Sequence, residues 1–554
     1  MKRKLVSFLL VLTLVFFMAA GCNGDKEPST SPTSSPGQTG TTTPGKSSVT
    51  ADEGPSTIFP LDETFEFSYW VNLYQSNTLW AETLNDHPVH KEIEKLTNVH
   101  VDFQHPTLGS EGEQFGILLA SEKLPDVITT AYHSRGAADL YYNDIIIDLT
   151  IGVQELMPNY WSHLSSSEAM LRDAKLDTGE IVTINSIYET VPLPWQGPMV
   201  RQDLLDKLGL GIPETVSDWE QMLIGFRDLG VEKPYFITNT GNTNNNFEPI
   251  FNVGQRLYRD GDKVKYGPAE PGYREYIELM RDWYSKGLID KEFSSYTFGE
   301  PGLVPSMGIP SNALIFAGAI GAMNAGSSNL GDQLPKIGVT EIEDMYYTGI
   351  TPPVKSKGDK VDFSKVAGSG RLGGSYAVTV DCPDEKVPTI LKYFDFLFSE
   401  ETYLLNNFGI KGVSWEFDEN GKPQFTDIIS ASAWDGQTIF HPYDYSMFLM
   451  PHLTVDVELI QGRPDYVIEM QSKWVAIDTP RGVLPRLTLT DEESSDSANI
   501  LSDLNTYVDE MTVRFVMGLE PMSNYETFLS TIKSMGLDRV LEAQQAAYDR
   551  YLSR

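Results

Sequence analysis

Apolar and polar positions along the chain change period several times, and each change marks an element. Phe65 to Val71 (FEFSYWV) alternates and is rich in aromatics, the pattern of a half-buried strand. HPVHKEIEKLTN follows with helical spacing and has Pro88 in its first turn, where a missing N–H costs nothing. VHVDFQH alternates again, SEGEQFGILLASEKL returns to helical spacing and stops before Pro125, and DVITTAY reads as a buried strand. Strand–helix–strand–helix–strand predicts a parallel sheet with crossover helices. ETVSDWEQMLIGFRDLG predicts an amphipathic helix capped by Thr215 or Ser217 and stopped by Gly230. PYFITNT then reads as a strand, YREYIELMRDWYSKG as a helix, GGSYAVTVD as a strand and VPTILKYFDFLFSEETYLLNNFG as one long helical stretch. The tail from Ala498 to Arg554 is helical, punctuated near Pro521 and Gly536. NALIFAGAIGAMNAG is apolar but short and interrupted by Gly and Asn, so it predicts a buried strand or helix, not a membrane span. No internal repeat is found.

Composition narrows the class. At 554 residues the chain is long enough for more than one domain, and 41% apolar residues can fill sizeable cores. The 77 acidic against 42 basic residues leave a formal charge of −35, which argues against a nucleic-acid partner. Two cysteines cannot build a disulfide framework.

The N-terminus carries a message of its own. Lys2, Arg3 and Lys4 precede an apolar stretch from Leu5 to Met18, followed by Ala19, Ala20, Gly21 and Cys22, a secretory signal by charge, length and cleavage chemistry. The cysteine after the small residues resembles the bacterial lipobox. The resemblance implies cleavage after Gly21, diacylation of Cys22, and an anchor held by two acyl chains where one would be marginal. Residues 22–58 hold that cysteine and a Ser/Thr/Pro/Gly-rich tether (SPTSSPGQTGTTTPG), too poor in apolar side chains to offset ordering entropy. The folded body is expected over 59–554, with C-terminal helices at 498–554, and Cys382 is left without a disulfide partner.

Several segments of that body occur in a family-specific order: MVRQDLLDKLGLGIPETVSDWEQML, LPDVI, DWYSKGLID, NFGIKGVSWEFDENGKPQFTD and TLTDEES…DLNTYVDEMTVRFVMG…LDRVLEAQQAAYDRY. Together they resemble the extracellular solute-binding proteins of family 1, in the large lipoprotein subgroup that serves carbohydrate ABC importers of Gram-positive bacteria. One departure is DTGEIVTINSIYET, where the family usually has a Gly-Lys-aromatic-x-Ile-Pro strand. The resemblance implies an α/β, two-lobed, periplasmic-binding-protein-like fold of type II, with hinge strands and a helical C-terminal extension. It also implies lipid anchoring at the extracellular face of the cell membrane, ABC permease subunits as partners, and a monomer that closes on a carbohydrate, an oligosaccharide before a monosaccharide. Closure of this kind requires the ligand to touch both lobes only in the closed state.

A sugar offers an apolar C–H face and a ring of hydroxyls, so its site needs flat aromatics beside Asp, Asn and Arg groups. Position relative to strands and Gly-rich loops selects Trp70, Asn72 and Tyr74 at the exit of the first strand, Tyr132 (with His133) after DVITT, and Trp195 in PLPWQGP. The same criterion adds Arg201, Arg371 in AGSGRLGGSY, Trp415 in GVSWEF, and Trp434 with Asp435 in SAWDGQ. Trp219, Trp283 and Trp474 lie in helical patterns and are expected in cores, and Arg201 is placed to pair with Asp203. No motif implies a catalytic residue, metal or cofactor. Asp418–Lys422 starts like a calcium loop but puts Lys422 at a ligand position, so a hairpin turn is expected there, as at Arg259–Lys263. With 77 acidic residues no spacing selects a glycosidase pair, so a polysaccharide-acting glycosidase and a surface adhesion lipoprotein remain the alternatives to a binding protein.

Overall fold

The computed structural model describes residues 59–73, 82–107, 109–194, 196–236, 247–295, 307–310, 313–314, 347–426, 450–455, 465–476 and 479–554. Cys22, Tyr74, Trp195, Trp434 and Asp435 lie outside the described residues.

The first lobe is built on the predicted parallel strands. β1 (Phe65–Trp70) pairs in parallel with β2 (Val99–Gln104), Phe65 opposite Val99, and with β3 (Val127–Thr129), Tyr69 opposite Val127. The helix Pro88–Thr97 joins β1 to β2, and Glu111–Leu119 joins β2 to β3. Strand Leu372–Val378 enters antiparallel between β3 and β4 (Ile184–Tyr188), and Leu453–Thr454 forms the edge beyond β4. Both faces of this six-stranded sheet are covered. Phe67, Tyr69, Val127, Ile187 and Val378 pack against the helices Val387–Phe396 and Pro158–Leu164 on one side, and Trp70, Ile128, Val182 and Ala377 pack against Phe115 and Leu140 on the other.

The expected long helix at Val387–Gly409 is two, Val387–Phe396 and Glu400–Phe408. Polar side chains of the second complete the end of the first: Thr402 Oγ1 donates to Phe396 O (2.8 Å) and Asn406 Nδ2 to Leu397 O (2.7 Å). Helical spacing alone does not reveal such a break, because it continues in phase across it.

In the second lobe Thr215 caps the helix Val216–Asp228 through a reciprocal box with Asp218, and the helix Pro271–Ser285 packs beside it. Trp219 and Trp283 are fully buried on either side of Phe247, with ring centroids 4.9 and 5.0 Å away at near-perpendicular angles. Strands Leu257–Asp260 and Lys263–Tyr266 form the expected Asp-Gly hairpin, with Gly261 at φ +62°. The helical tail starts earlier than expected. A second capping box, Thr490 with Glu493, opens a helix over Asp491–Val516, followed by Tyr525–Ser534 and Leu537–Ser553. Leu504, Phe515, Phe528 and Val540 from these helices join the core around Trp219 and Trp283.

Chain segments that pass between the lobes are tied to one another. Tyr188 and Arg371 exchange bonds, Tyr188 N to Arg371 O and Arg371 Nε to Tyr188 O, both 2.9 Å. Ile350 N donates to Pro198 O (3.1 Å), and the Trp474 indole N–H donates to both Pro198 O (3.2 Å) and Ile350 O (3.0 Å). Trp474 is buried as expected, but it joins crossings instead of filling a lobe core.

The last turn of the helix Leu537–Ser553 makes a further inter-lobe tie. Its Tyr548 and Tyr551 pack on Val264 of the second lobe, while Tyr551 Oη donates to Asp173 Oδ1 of the first (2.7 Å). Arg550 Nε (2.6 Å) and Arg554 Nε (2.8 Å) both bind the Asp177 carboxylate, and Arg550 also pairs with Glu493 (2.6 Å). Asp177 lies in the DTGEIVTINSIYET stretch that departs from the family pattern.

Candidate functional site: the groove between the lobes

Parallel strands deliver their carboxyl ends to one edge of a sheet, and in open α/β folds ligands gather there. Trp70 ends β1, yet its ring is buried: Phe115 lies 5.4 Å away and Tyr132 6.0 Å away at 86°. Tyr132 is half-buried, and burial pushes its phenol up to about 12. Trp70 thus backs Tyr132, the ring nearer solvent. Asn72 follows at the end of β1, half-buried. The next turn after β3 carries His133 and Arg135, both held by the buried Asp139 carboxylate at 2.6 and 3.1 Å.

The other sequence-selected residues part company. Arg201 forks onto Asp203 through Nε (2.7 Å) and Nη2 (2.6 Å) at the start of the helix Gln202–Leu208 in the second lobe, the pairing its spacing suggested. Arg371 fastens the crossing strands as described. Trp415 is 4% exposed, packs on Phe408, and gives its indole N–H to Gly409 O (3.0 Å), so it is a core residue of a hairpin and not an open platform. That hairpin, Trp415–Phe417 with Pro423–Phe425, turns at Asp418, whose carboxylate accepts the N–H groups of Asn420 and Lys422 (both 2.8 Å). The glycines of AGSGRLGGSY meet close packing: Gly368 (φ +55°) leaves room for the Asp173 carboxylate, 2.5 Å from where a Cβ would stand, and Gly374 (φ +57°) for the Tyr376 ring at 2.6 Å.

Two hollows adjoin at this hinge. One, of about 390 Å³, lies between the crossings Val191–Pro194 and Lys365–Leu372. The other, of about 560 Å³, runs from the strand-end residues Thr130, His133 and Asn185 to Arg486, Gln544 and Arg554 of the C-terminal segment. Both volumes fall in the range of small-molecule sites. Asp173 and Arg486 stand on the walls of both. Of the sequence-selected residues that are described, only His133 lines either hollow. Arg486 and Lys175 also line the larger hollow, in LPRLTLT and DAKLD, segments that carry none of the aromatic or glycine signals used to select candidates.

Comparisons with known proteins agree with this architecture. No protein-family model matches the chain. It is 21% identical over 537 residues to the fructooligosaccharide ABC transporter substrate-binding protein FusA of Streptococcus pneumoniae, covering 89% of this chain and 92% of that one. It is 20% identical over 479 residues to the polygalacturonan/rhamnogalacturonan-binding protein YtcQ of Bacillus subtilis, covering 83% and 87%. Among solved structures, FusA in complex with kestose superposes with a TM-score of 0.68 at 18% identity, over 89% of this chain and all of that one. The alginate-binding protein AlgQ2, solved without calcium ion, gives 0.66 at 23%, again over 89% and 100%. The chain is thus similar along almost its whole length to substrate-binding proteins of ABC transporters, the family its ordered motifs resemble, and it shares the two-lobed fold of these solved structures.

Proposed function

We propose that the chain is a lipid-anchored, extracellular substrate-binding protein of an ABC importer, which captures an oligosaccharide between its lobes and hands it to the membrane permease without cleaving it. The observation that carries this reading is that likeness to FusA, in sequence and in fold, runs through both lobes and the hinge. Three relatives with different ligands, named for fructooligosaccharide, polygalacturonan/rhamnogalacturonan and alginate, share only the class of carbohydrate fragments. The hinge supports it physically, since lobes joined by a few crossing strands can close on a ligand that touches both.

Tyr132, backed by Trp70, and Asn72 are proposed as first-lobe contacts, and Tyr74, Trp195, Trp434 and Asp435, which lie outside the described residues, as further ligand contacts. Arg201 and Arg371 are proposed to act on the ligand indirectly, by ordering the hinge and the second lobe. Acylation at Cys22 and the tether to residue 58 would hold the monomeric body near the permease. The test is a thermal-shift and calorimetry screen across oligosaccharides with product analysis of each mixture. A binder raises its own Tm by mass action and returns the sugar intact. Cleavage products would make it a glycosidase, and no shift with any glycan would remove the carbohydrate.

A further inference from the structure

Arg486 is an unusual residue in so acidic a chain. It is exposed, it stands on the walls of both hollows, and Nη1 donates to Gly374 O at 3.2 Å. Among the described residues it has no carboxylate partner. The other arginines on the larger hollow are committed, Arg135 to Asp139 (3.1 Å) and Arg554 to Asp177 (2.5 Å). Lys175, on the same wall, also has no carboxylate partner among the described residues. The one carboxylate on the described walls, Asp173, is occupied by Tyr551 Oη (2.7 Å) and Ser369 N (2.6 Å). With 77 acidic side chains against 42 basic ones, a guanidinium in a groove that has no carboxylate partner among the described residues points to one supplied from outside. A guanidinium carries five donors in a planar fork that fits a carboxylate, and a charge-assisted bond is about twice as strong as a neutral one. Hydroxyl-matching groups lie alongside: Thr130 Oγ1 donates to Ser375 Oγ (2.6 Å), and Asn185 Nδ2 shares the Gly374 carbonyl with Arg486 (2.8 Å).

We propose that Arg486 anchors an anion subsite in the inter-lobe groove that takes the carboxylate of a uronic-acid residue, with Lys175 as its weaker second cation. This rests on the oligosaccharide-binding reading and narrows it to acidic sugars. The charge of the guanidinium acts on the half-buried Tyr188 and buried Tyr376 phenols against the effect of their burial.

The test uses the signal-free chain, calorimetry at pH 7, and four probes: trigalacturonic and trimannuronic acid, and the methyl ester of each, which keeps the sugar backbone and removes the charge. At least one acid binds, its ester binds at least tenfold more weakly, and Arg486→Gln weakens the acid tenfold or more while leaving the ester unchanged. Arg486→Lys recovers part of the loss and Lys175→Gln costs two- to fivefold. Arg486 is exposed, so an unchanged Tm in R486Q keeps folding out of the comparison. Equal affinity for acid and ester, or an R486Q affinity for the acid within twofold of the parent, overturns the subsite. Binding of neutral glycans only also overturns it while leaving the proposed function standing, and binding of no glycan at all overturns both.

Discussion

Replacing Asp177 by Asn tests the tie between the C-terminal helix and the first lobe. Asp177 and Arg554 are only 8% and 5% exposed, so salt screens their pairing little. Removing one partner of a buried pair leaves an uncompensated charge and costs about 3–5 kcal/mol. Arg550 softens the loss because Glu493 still holds it at 2.6 Å, whereas Arg554 keeps, among the described residues, the neutral Thr488 Oγ1, the carbonyls of Arg172 and Lys175 and the Tyr551 ring face. At ~2.1 cal/mol/K per residue, a body spanning 59–554 unfolds with an entropy of about 1 kcal/mol/K, so ~4 kcal/mol lowers Tm by about 4 °C. If the lobes melt separately, the first-lobe transition falls by roughly twice that. Differential scanning calorimetry at 0.05 and 1 M salt reads the shift, expected to be nearly equal in both. The double variant Asp177→Leu/Arg554→Met should lose less than the sum of the singles, since two apolar side chains leave no buried charge. A D177N Tm within 1 °C of the parent, or a deficit that vanishes in 1 M salt, would show the tie to be an ordinary surface pair and refute the reasoning.

Three further outcomes follow from the same structure. Burial lowers the His452 imidazole from 6.5 to about 4, against the pull of the Met450 carbonyl that accepts from Nδ1. A depressed histidine pKa favours the neutral form in the fold, so this stability is present above pH 6.5 and is lost as pH falls from 6.5 through 4, about 3 kcal/mol in all. His452→Asn should therefore flatten the acid limb of a stability–pH curve by up to one proton in that window, and an unchanged slope would count against it. Trp415→Ala should cost about 3–5 kcal/mol in hairpin stability and speed amide exchange at Trp415–Phe425, because it empties a packed site. Tyr132→Ala should weaken oligosaccharide binding tenfold with Tm kept within 2 °C, whereas Trp70→Ala should lower both affinity and Tm, and an affinity equal to the parent's in both variants would remove this pair from the site.

Much of the architecture was written in local pattern. Period-two runs at FEFSYWV and VHVDFQH, separated by a Pro-started helix, are sufficient for parallel β1 and β2, because alternation and helical spacing act over a few residues. The Thr215 cap, the Asp-Gly hairpin and the burial of Trp219 and Trp283 were legible for the same reason. What could not be read is set by partners far along the chain. Trp474 looks like a helix-face residue until Pro198 and Ile350 arrive to accept its N–H, and Trp415 looks like a platform until Phe408 covers it. Arg486 lies 112 residues from the Gly374 carbonyl it binds, and nothing in LPRLT marks that meeting. Short-range periodicity thus decided which segments are helix or strand, while the groove and its charges exist only where distant segments converge, since hydrogen bonds and desolvation depend on distance in space and not on order in the chain.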